Sequence, residues 1–170
     1  MFQYVQGDLF DTNFDHGNHI IAHVTNNIGK WGAGFVIPLG KKYPEARNQY
    51  IINNQYIGKT QFVDINKHLI IANMCAQTLG GPRPLYYNEL VYCMEDIINK
   101  LNTRDIFIHA PLFGAGLAGG NWFFIHELIK DIWTNINVRI YWMKNMLPPG
   151  LTSEMFDVKT GILGANTQRK

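Results

Sequence analysis

Two glycine-rich loops constrain the fold of this chain more than any other feature, because each lies between a strand-like segment and a helical one. Three of the sixteen glycines fall within residues 29–34 and four within residues 114–120. Glycine lets backbone amides approach an anion closely, and the start of the following helix adds partial positive charge. Each loop is therefore suited to a phosphate group, and two loops that face one crevice suit a diphosphate. The alternative interpretation is that the glycines merely mark tight turns. For one loop this interpretation and phosphate binding are about equally good, and for two loops the tight-turn interpretation is weaker.

Six segments rich in β-branched or aromatic residues predict strands, at residues 2–6, 19–24, 61–65, 68–73, 105–110 and 138–143. Helical spacing of apolar residues predicts helices over residues 87–101 and 121–133, the second capped by Asn121. Residues 34–53 predict two short helices, because Pro38 and Pro44 lack an amide donor and are tolerated mainly in first turns. This alternation favours an α/β fold, with a mixed, mainly parallel six-strand sheet and helices on both faces. Ligands collect at the carboxyl edge of such a sheet, where both loops lie.

The length and composition predict one domain. A chain of 170 residues with 46% hydrophobic residues can bury one core of ordinary size. The alternating pattern assigns residues 1–147 to this domain. Two prolines and a glycine at positions 148–150 end the pattern, and residues 148–170 are expected to form a polar C-terminal tail with few apolar anchors.

Charge and motif content exclude several classes of partner. The net charge is only +2 and the Lys and Arg residues are scattered, so long nucleic acid is not expected as a partner. No apolar run approaches the roughly 20 residues that cross a bilayer, and the first residues lack the features of a signal peptide, so we expect a cytoplasmic protein without membrane contact. No cluster of His, Asp and Glu suggests a metal, and we expect no cofactor. Neither loop matches the dinucleotide fingerprint or the Lys-Ser/Thr phosphate loop, which argues against hydride transfer and against phosphoryl transfer from ATP.

Five segments, in order and at suitable spacing, resemble the macro domain family. Residues 7–10, 22–35 and 42–46 are similar to the opening half of these domains, and residues 72–77 and 110–122 to the later strand and the second phosphate loop. The resemblance covers about residues 1–143 and is strongest to the branch with yeast-type and phage-type ADP-ribose-1″-phosphate phosphatases. It implies an ADP-ribose-binding fold that hydrolyses the terminal phosphate monoester without a metal.

The resemblance also implies which residues bind the ligand. Asp8 matches the acidic residue that accepts a hydrogen bond from the adenine amino group, and Asn26 matches the asparagine at the distal ribose. An ordinary turn carboxylate and an asparagine that only stabilises a turn are the alternatives. The full predicted ligand-binding set is Asp8, Leu9, Asn26, Gly32, Ala33, Gly34, Gly114, Ala115, Gly116, Leu117 and Ala118.

His23 and Asn26 are the predicted catalytic residues. His23 falls where the phosphatase-like branch has histidine, and an imidazole beside the distal ribose can orient or deprotonate a water that attacks phosphorus. A hydrogen-bonded structural histidine is an equal alternative. His109 is a second candidate for proton transfer, with packing favoured, and packing is also favoured for Trp31 and Trp122.

Two further functions stay open. One is a non-catalytic protein that binds free or protein-attached ADP-ribose, which His23 argues against. The other is a hydrolase that removes ADP-ribose from protein or nucleic acid. The related glycohydrolases depend on a lysine near Asn73 and Met74 and on an aspartate where this chain has Ala118, and both are missing.

Overall fold

The computed structural model describes residues 1–101 and 105–164. Within them, six strands and four α-helices alternate in the predicted order. The strands are β1 (Phe2–Gln6), β2 (Asn18–Asn26), β3 (Lys59–Asp64), β4 (Leu69–Gln77), β5 (Ile106–Ala110) and β6 (Asn137–Trp142). The α-helices are α1 (Val36–Lys42), α2 (Pro44–Ile52), α3 (Tyr87–Lys100) and α4 (Trp122–Ile132).

The strands form one sheet in the order β1-β6-β5-β2-β4-β3. Every neighbouring pair is parallel except β3 and β4, which confirms the predicted mixed, mainly parallel sheet. The carboxyl ends of five strands, all but β3, therefore lie along one edge. Strands β2 and β4 run two and four residues beyond their predicted ends, because their last residues pair with each other through a shift in register at Thr25 and Asn26.

Helices cover both faces of the sheet, as predicted. Neighbouring residues of β2 point to opposite faces, so Ile20 packs in the core under α3 and α4, and Ile21 packs in the core under α1 and α2. Leu39 of α1 and Tyr50 of α2 are fully buried in this second core. His23 has the same strand parity as Ile21 and therefore points toward α1 and α2.

The predicted helix signals hold in detail. Pro44 begins α2, and Pro38 lies in the first turn of α1, where its missing amide hydrogen leaves no hydrogen bond unmade. The side chain of Asn121 accepts a hydrogen bond from the Phe123 amide at 2.9 Å and caps α4. The longest helix in the described parts of the chain is α3, at 14 residues, and none of their helices is long and apolar enough to cross a membrane.

The expectation of a polar C-terminal tail with few apolar anchors is wrong for residues 151–164. Phe156 is 5% exposed and Leu163 is 1% exposed, and both belong to the core under α3 and α4. The ring of Phe156 stacks on Trp142 with centroids 4.4 Å apart. Leu151 and Met155 also pack against this core, partly buried. These contacts with distant core residues anchor the segment, and local composition does not reveal them. Residues 165–170 of the expected tail lie outside the described residues.

Candidate functional site

A cleft of about 1180 Å³ runs along the carboxyl edge of the sheet. Segments that follow β1, β6, β5, β2 and β4 line it in that spatial order. The segment after β1 and the segment after β2 are three strand positions apart, roughly 14 Å at the usual strand spacing of about 4.8 Å. The cleft is therefore long enough for an extended ligand, and different parts of that ligand would contact different strand ends.

Every predicted site residue except Ala115 lines this cleft. The side chain of Ala115 is buried in the core under α3 and α4 and borders a smaller pocket on another side of the loop. The loop folds over the core, so its residues divide: Phe113, Ala115 and Ala118 are buried, whereas Gly116 and Leu117 are exposed. The predicted contact of Ala115 with the ligand is through its backbone amide, and it stays a prediction.

The second glycine-rich loop presents backbone amides that the fold does not use. Gly119 donates to the carbonyl of Gly116 at 3.1 Å, and Gly120 donates to that of Gly114 at 2.7 Å. Within the described parts of the chain, the amides of residues 114–118 donate no hydrogen bond to protein groups. Consecutive free amides are the usual backbone receptor for an anion, so this loop is suited to hold phosphate oxygens.

Asn26 shapes the first glycine-rich loop. Its side-chain nitrogen donates to the carbonyl of Lys30 at 2.7 Å, and its side-chain oxygen accepts from the amides of Ile28 and Lys30, each at 3.1 Å. The hydroxyl of Tyr50 lies 2.5 Å from the same oxygen. The turn-stabilising alternative for Asn26 is thus realised, and its predicted contact with a ribose stays a prediction.

The two loops face each other across the cleft. A Cβ atom on Gly34 would lie 3.6 Å from Cδ1 of Leu117, so the first loop approaches the tip of the second. Phe10, after β1, stacks on Phe35, after the first loop, with centroids 5.2 Å apart and an interplanar angle of 22°. Three separate segments therefore converge around one channel.

Asp8 begins a short turn at the β1 end of the cleft. Its Oδ1 atom accepts a hydrogen bond from the amide of Phe10 at 2.9 Å, which is the turn role that the sequence leaves open. Oδ2 accepts no hydrogen bond from the residues that the structure describes. One carboxylate oxygen thus fixes the turn, and the other is available to a ligand.

His23 lies at the floor of the cleft on β2. Its ring is 1% exposed, meets the edge of Trp31 with centroids 5.6 Å apart and touches Phe35. Nε2 lies 2.5 Å from Oδ1 of Asn73, and Nδ1 is buried without a hydrogen-bond partner. Burial lowers the pKa of His23 from 6.5 to about 4, and the hydrogen bond with Asn73 offsets only part of this. The imidazole is therefore neutral at neutral pH.

His109 is buried on β5 and does not line the cleft. Its Nε2 lies 3.0 Å from Nδ1 of His19, and its Nδ1 lies 2.8 Å from the hydroxyl of Tyr141. Burial lowers the pKa of His109 to about 3, with smaller contributions from the neighbouring His19 and Arg139 side chains. Packing, the favoured alternative, is what the structure shows for His109.

The two tryptophans differ in place. Trp122 is buried in the core, and its Nε1 donates to the hydroxyl of Tyr4 at 2.8 Å. Trp31 belongs to the core under α1 and α2 and also forms part of the cleft wall beside His23. The packing prediction is confirmed for both.

Sequence reasoning missed three features of the site. The cationic side chains of Lys30 and Arg47 lie at the β2 end of the cleft, and the apolar side chains of Trp142 and Met143 line the β1 end. Asn73 stands behind His23, fully buried. A polar residue inside an apolar strand is the one signal that marks Asn73 in the sequence, since a buried polar group needs a partner.

Across residues 1–101 and 105–164, no three His, Cys, Asp or Glu side chains come together as a metal site.

Two curated relatives are named ADP-ribose 1″-phosphate phosphatase. The one from Candida albicans is 23% identical over 155 residues, which span 83% of this chain and 99% of the relative. The one from Lodderomyces elongisporus is 36% identical over 136 residues, which span 71% of this chain and 85% of the relative. A solved structure of a macrodomain protein from Streptomyces coelicolor is 28% identical, with a TM-score of 0.71 over 84% of this chain and 99% of that one. No family model matches the chain.

These likenesses agree with the fold described above. The match to the Lodderomyces elongisporus relative extends over most of both chains, and the Streptomyces coelicolor structure shares the fold across nearly its whole length. The resemblance that the sequence motifs carry is confirmed: this chain belongs to the macro domain family, in the branch of the ADP-ribose 1″-phosphate phosphatases.

Proposed function

We propose that this protein binds ADP-ribose 1″-phosphate and hydrolyses its terminal phosphate monoester to ADP-ribose and phosphate. One observation carries the proposal: a loop of free backbone amides and a buried histidine with one free ring nitrogen line the same cleft. The two relatives named for this activity support it.

We assign the parts of this ligand to three parts of the cleft. The adenine would lie at the β1 end, between the free carboxylate oxygen of Asp8 and the apolar side chains of Trp142 and Met143. The diphosphate would lie on the amides of residues 114–118. The distal ribose and its phosphate would then reach the β2 end, near His23 and the cations of that end, which favour a dianion.

The proposed reaction is direct attack of water on the terminal phosphorus. The water oxygen forms a bond to phosphorus while the bond between phosphorus and the ribose O1″ atom breaks. Nδ1 of His23 accepts the proton of the water, and the ribose oxygen takes a proton from solvent. A base with a pKa of about 4 has little driving force at neutral pH, so we expect slow turnover.

A second function is favoured by the distribution of carboxylates. Among the described residues that line the cleft, Asp8 is the one carboxylate, and it lies at the end opposite His23. The cleft thus lacks an acid that could protonate the leaving ribose oxygen, and a protein that binds ADP-ribose without turnover needs none. Removal of ADP-ribose from protein or nucleic acid is less favoured, because Met74 is buried in the core and position 118 is alanine.

Two measurements test the proposal. One is the release of phosphate from ADP-ribose 1″-phosphate, and the other is calorimetric titration of the protein with ADP-ribose. We expect both phosphate release and binding. Binding of ADP-ribose without phosphate release would favour the non-catalytic function, and absence of binding would contradict both.

We also propose a cytoplasmic location, which the two buried free cysteines, Cys75 and Cys93, support as residues suited to a reducing compartment.

A further inference from the structure

A row of polar side chains crosses three strands behind the cleft. His23 on β2 is in register with Asn73 on β4, which is in register with Gln61 on β3. The side-chain nitrogen of Asn73 donates to Oε1 of Gln61 at 3.0 Å, and the side-chain nitrogen of Gln61 donates to the carbonyl of Gln49 at 2.9 Å. The nitrogen of Asn73 also lies 3.4 Å from the carbonyl of Ala46. The row is thus tied to α2 at two backbone positions.

Those two backbone carbonyls fix the direction of every hydrogen bond in the row. A carbonyl oxygen can only accept, so the amide group that faces Gln49 must be the nitrogen of Gln61, and the group that faces Ala46 must be the nitrogen of Asn73. The opposite orientation of Asn73 would set its oxygen against two acceptors. The oxygen of Asn73 therefore faces His23, and Nε2 of His23 must carry the proton.

We propose that Asn73 is a positioning residue that holds His23 in the tautomer with hydrogen on Nε2, so that Nδ1 meets the ligand only as a hydrogen-bond acceptor. This inference rests on the proposed function for the identity of the ligand. It adds a residue behind the cleft, and it assigns a direction to the hydrogen bond that His23 makes within it.

Three properties of the His23 environment support the assignment. Nδ1 is buried without a partner, although His23 lines the cleft, so the ring nitrogen opposite Asn73 is the one left for a ligand group. Trp31 and Phe35 contact the ring and restrict its rotation. Burial lowers the pKa of His23 to about 4, so a second proton is absent at neutral pH.

An acceptor at this position selects the chemistry of its neighbour. Phosphate oxygens are acceptors and would be repelled by the lone pair of Nδ1, whereas a ribose hydroxyl or a water can donate to it. His23 would therefore contact a hydroxyl or the attacking water, and the amides and cations of the cleft would hold the phosphate. A histidine that donated to phosphate would need the reverse tautomer or a positive charge.

The side-chain nitrogen resonances of the wild-type protein test the tautomer directly. A long-range ¹H–¹⁵N correlation spectrum at neutral pH should show His23 with a protonated Nε2 and an unprotonated Nδ1, and the Nδ1 resonance should shift when ADP-ribose is added. A protonated Nδ1 would overturn the inference whatever the protein hydrolyses. If the expected tautomer and the shift of the Nδ1 resonance are observed but no phosphate is released, the inference about His23 holds and the proposed hydrolysis is wrong.

Substitutions then test whether Asn73 holds the tautomer. In Asn73→Leu the Nε2 proton loses its acceptor, so we expect the His23 resonances to show both tautomers, and kcat to fall about 10- to 100-fold with KM unchanged. That range applies to the loss of partners that orient metal-binding histidines. Retention of a single Nε2-protonated tautomer in folded Asn73→Leu would overturn the role of Asn73.

Gln61→Leu provides a milder variant in case Asn73→Leu does not fold. This variant keeps Asn73 beside His23 but removes one of the two acceptors that orient Asn73. We therefore expect a smaller loss of kcat and partial mixing of the His23 tautomers. An unchanged tautomer and an unchanged kcat would contradict the role of the polar row. Thr60→Val is the matched control. Thr60 is the neighbour of Gln61 on β3, and its hydroxyl donates to the carbonyl of Cys93 on α3 at 2.8 Å. Loss of the Thr60 hydroxyl should leave the His23 resonances unchanged. The His109 resonances should be unchanged in every variant.

Discussion

His23 and His109 lie on neighbouring strands, and both are buried with a lowered pKa. They differ in what their ring nitrogens contact. Nε2 of His19 donates to the carbonyl of His16, so His19 accepts from Nε2 of His109, whose Nδ1 in turn accepts from the hydroxyl of Tyr141. Both nitrogens of His109 are thus used by the fold, whereas Nδ1 of His23 is free beside the cleft. Burial and a shifted pKa do not by themselves mark a functional histidine; an unused atom in a cleft does.

The same contrast divides the second glycine-rich loop. A Cβ atom on Gly120 would lie 2.5 Å from the carbonyl oxygen of Gly114, so the fold itself requires glycine there. A Cβ atom on Gly116 would meet nothing within 4 Å, and Gly116 has no positive φ. Neither packing nor backbone conformation therefore requires glycine at position 116, whereas the proposed approach of a ligand to the loop amides would.

Loss of the His23 imidazole should give the largest effect. We expect His23→Ala to reduce phosphate release about 100- to 10,000-fold, the usual range for a positioned proton-transfer group, with a much smaller change in ADP-ribose affinity. Single-turnover phosphate release and calorimetry measure the two quantities, and the melting temperature checks the fold. Wild-type turnover in folded His23→Ala would remove the distinction drawn between the two histidines.

A side chain at Gly116 should act on binding alone. Gly116→Val fits the ligand-free loop but places two methyl groups where a diphosphate would approach the amides. Losing one hydrogen bond to a charged group costs about 1.5 to 3 kcal/mol, so we expect affinity for ADP-ribose to fall about 10- to 150-fold with a near wild-type melting temperature. Gly120→Ala is the contrasting variant and should lower the melting temperature instead. Unchanged affinity in Gly116→Val would place the ligand elsewhere.

The features predicted from sequence are those with a local cause. Asn121 caps α4, Pro38 and Pro44 lie in first turns, and the two loops follow strands because glycine and proline act within a few residues. The inward side of Ala115 and the burial of Phe156 depend on contacts with distant parts of the chain. These are long-range packing results, which local patterns do not encode.

The same limit applies to the site. The sequence identified His23 and the glycine-rich loops of the cleft through their motifs. The tautomer of His23, however, depends on Asn73 and Gln61, which lie beside it only across strands. An interstrand hydrogen bond has no sequence period that would reveal it. The lowered pKa of His23 could not be predicted from the sequence for a related reason, since burial is a tertiary property.

Substitution of His109 should affect stability and leave chemistry intact. His109→Ala would leave Nδ1 of His19 without its donor and the hydroxyl of Tyr141 without its acceptor, which costs about 1 to 3 kcal/mol of unfolding free energy. Turnover per folded molecule should stay near the wild-type value, because His109 does not line the cleft. Urea unfolding and active-site-normalised phosphate release measure the two effects. A turnover loss as large as that of His23→Ala would show that the two histidines share one role.

The dependence of the rate on pH should be small, and it separates the histidines by a different route. Folding lowers the pKa of His23 from 6.5 to about 4 and that of His109 to about 3, so the unfolded chain binds more protons in this interval. The free energy of unfolding therefore rises with pH through this interval, and the contribution of the two histidines reaches its full value above about pH 6.5. That contribution is lost as the pH falls from there toward 4 and below. Both histidines contribute to this loss.

The rate should follow His23 alone. Its base form predominates above about pH 4, so kcat should be nearly constant from about pH 5 to 8 in the protein that remains folded, and should fall only as the pH approaches 4. Phosphate release and urea unfolding, measured across the same pH series, distinguish the two curves. We expect stability to decline well before kcat does as the pH is lowered. A tenfold rise of kcat between about pH 5.5 and 7.5 would mean that the catalytic base titrates near the ordinary histidine value, which burial of the His23 imidazole does not allow.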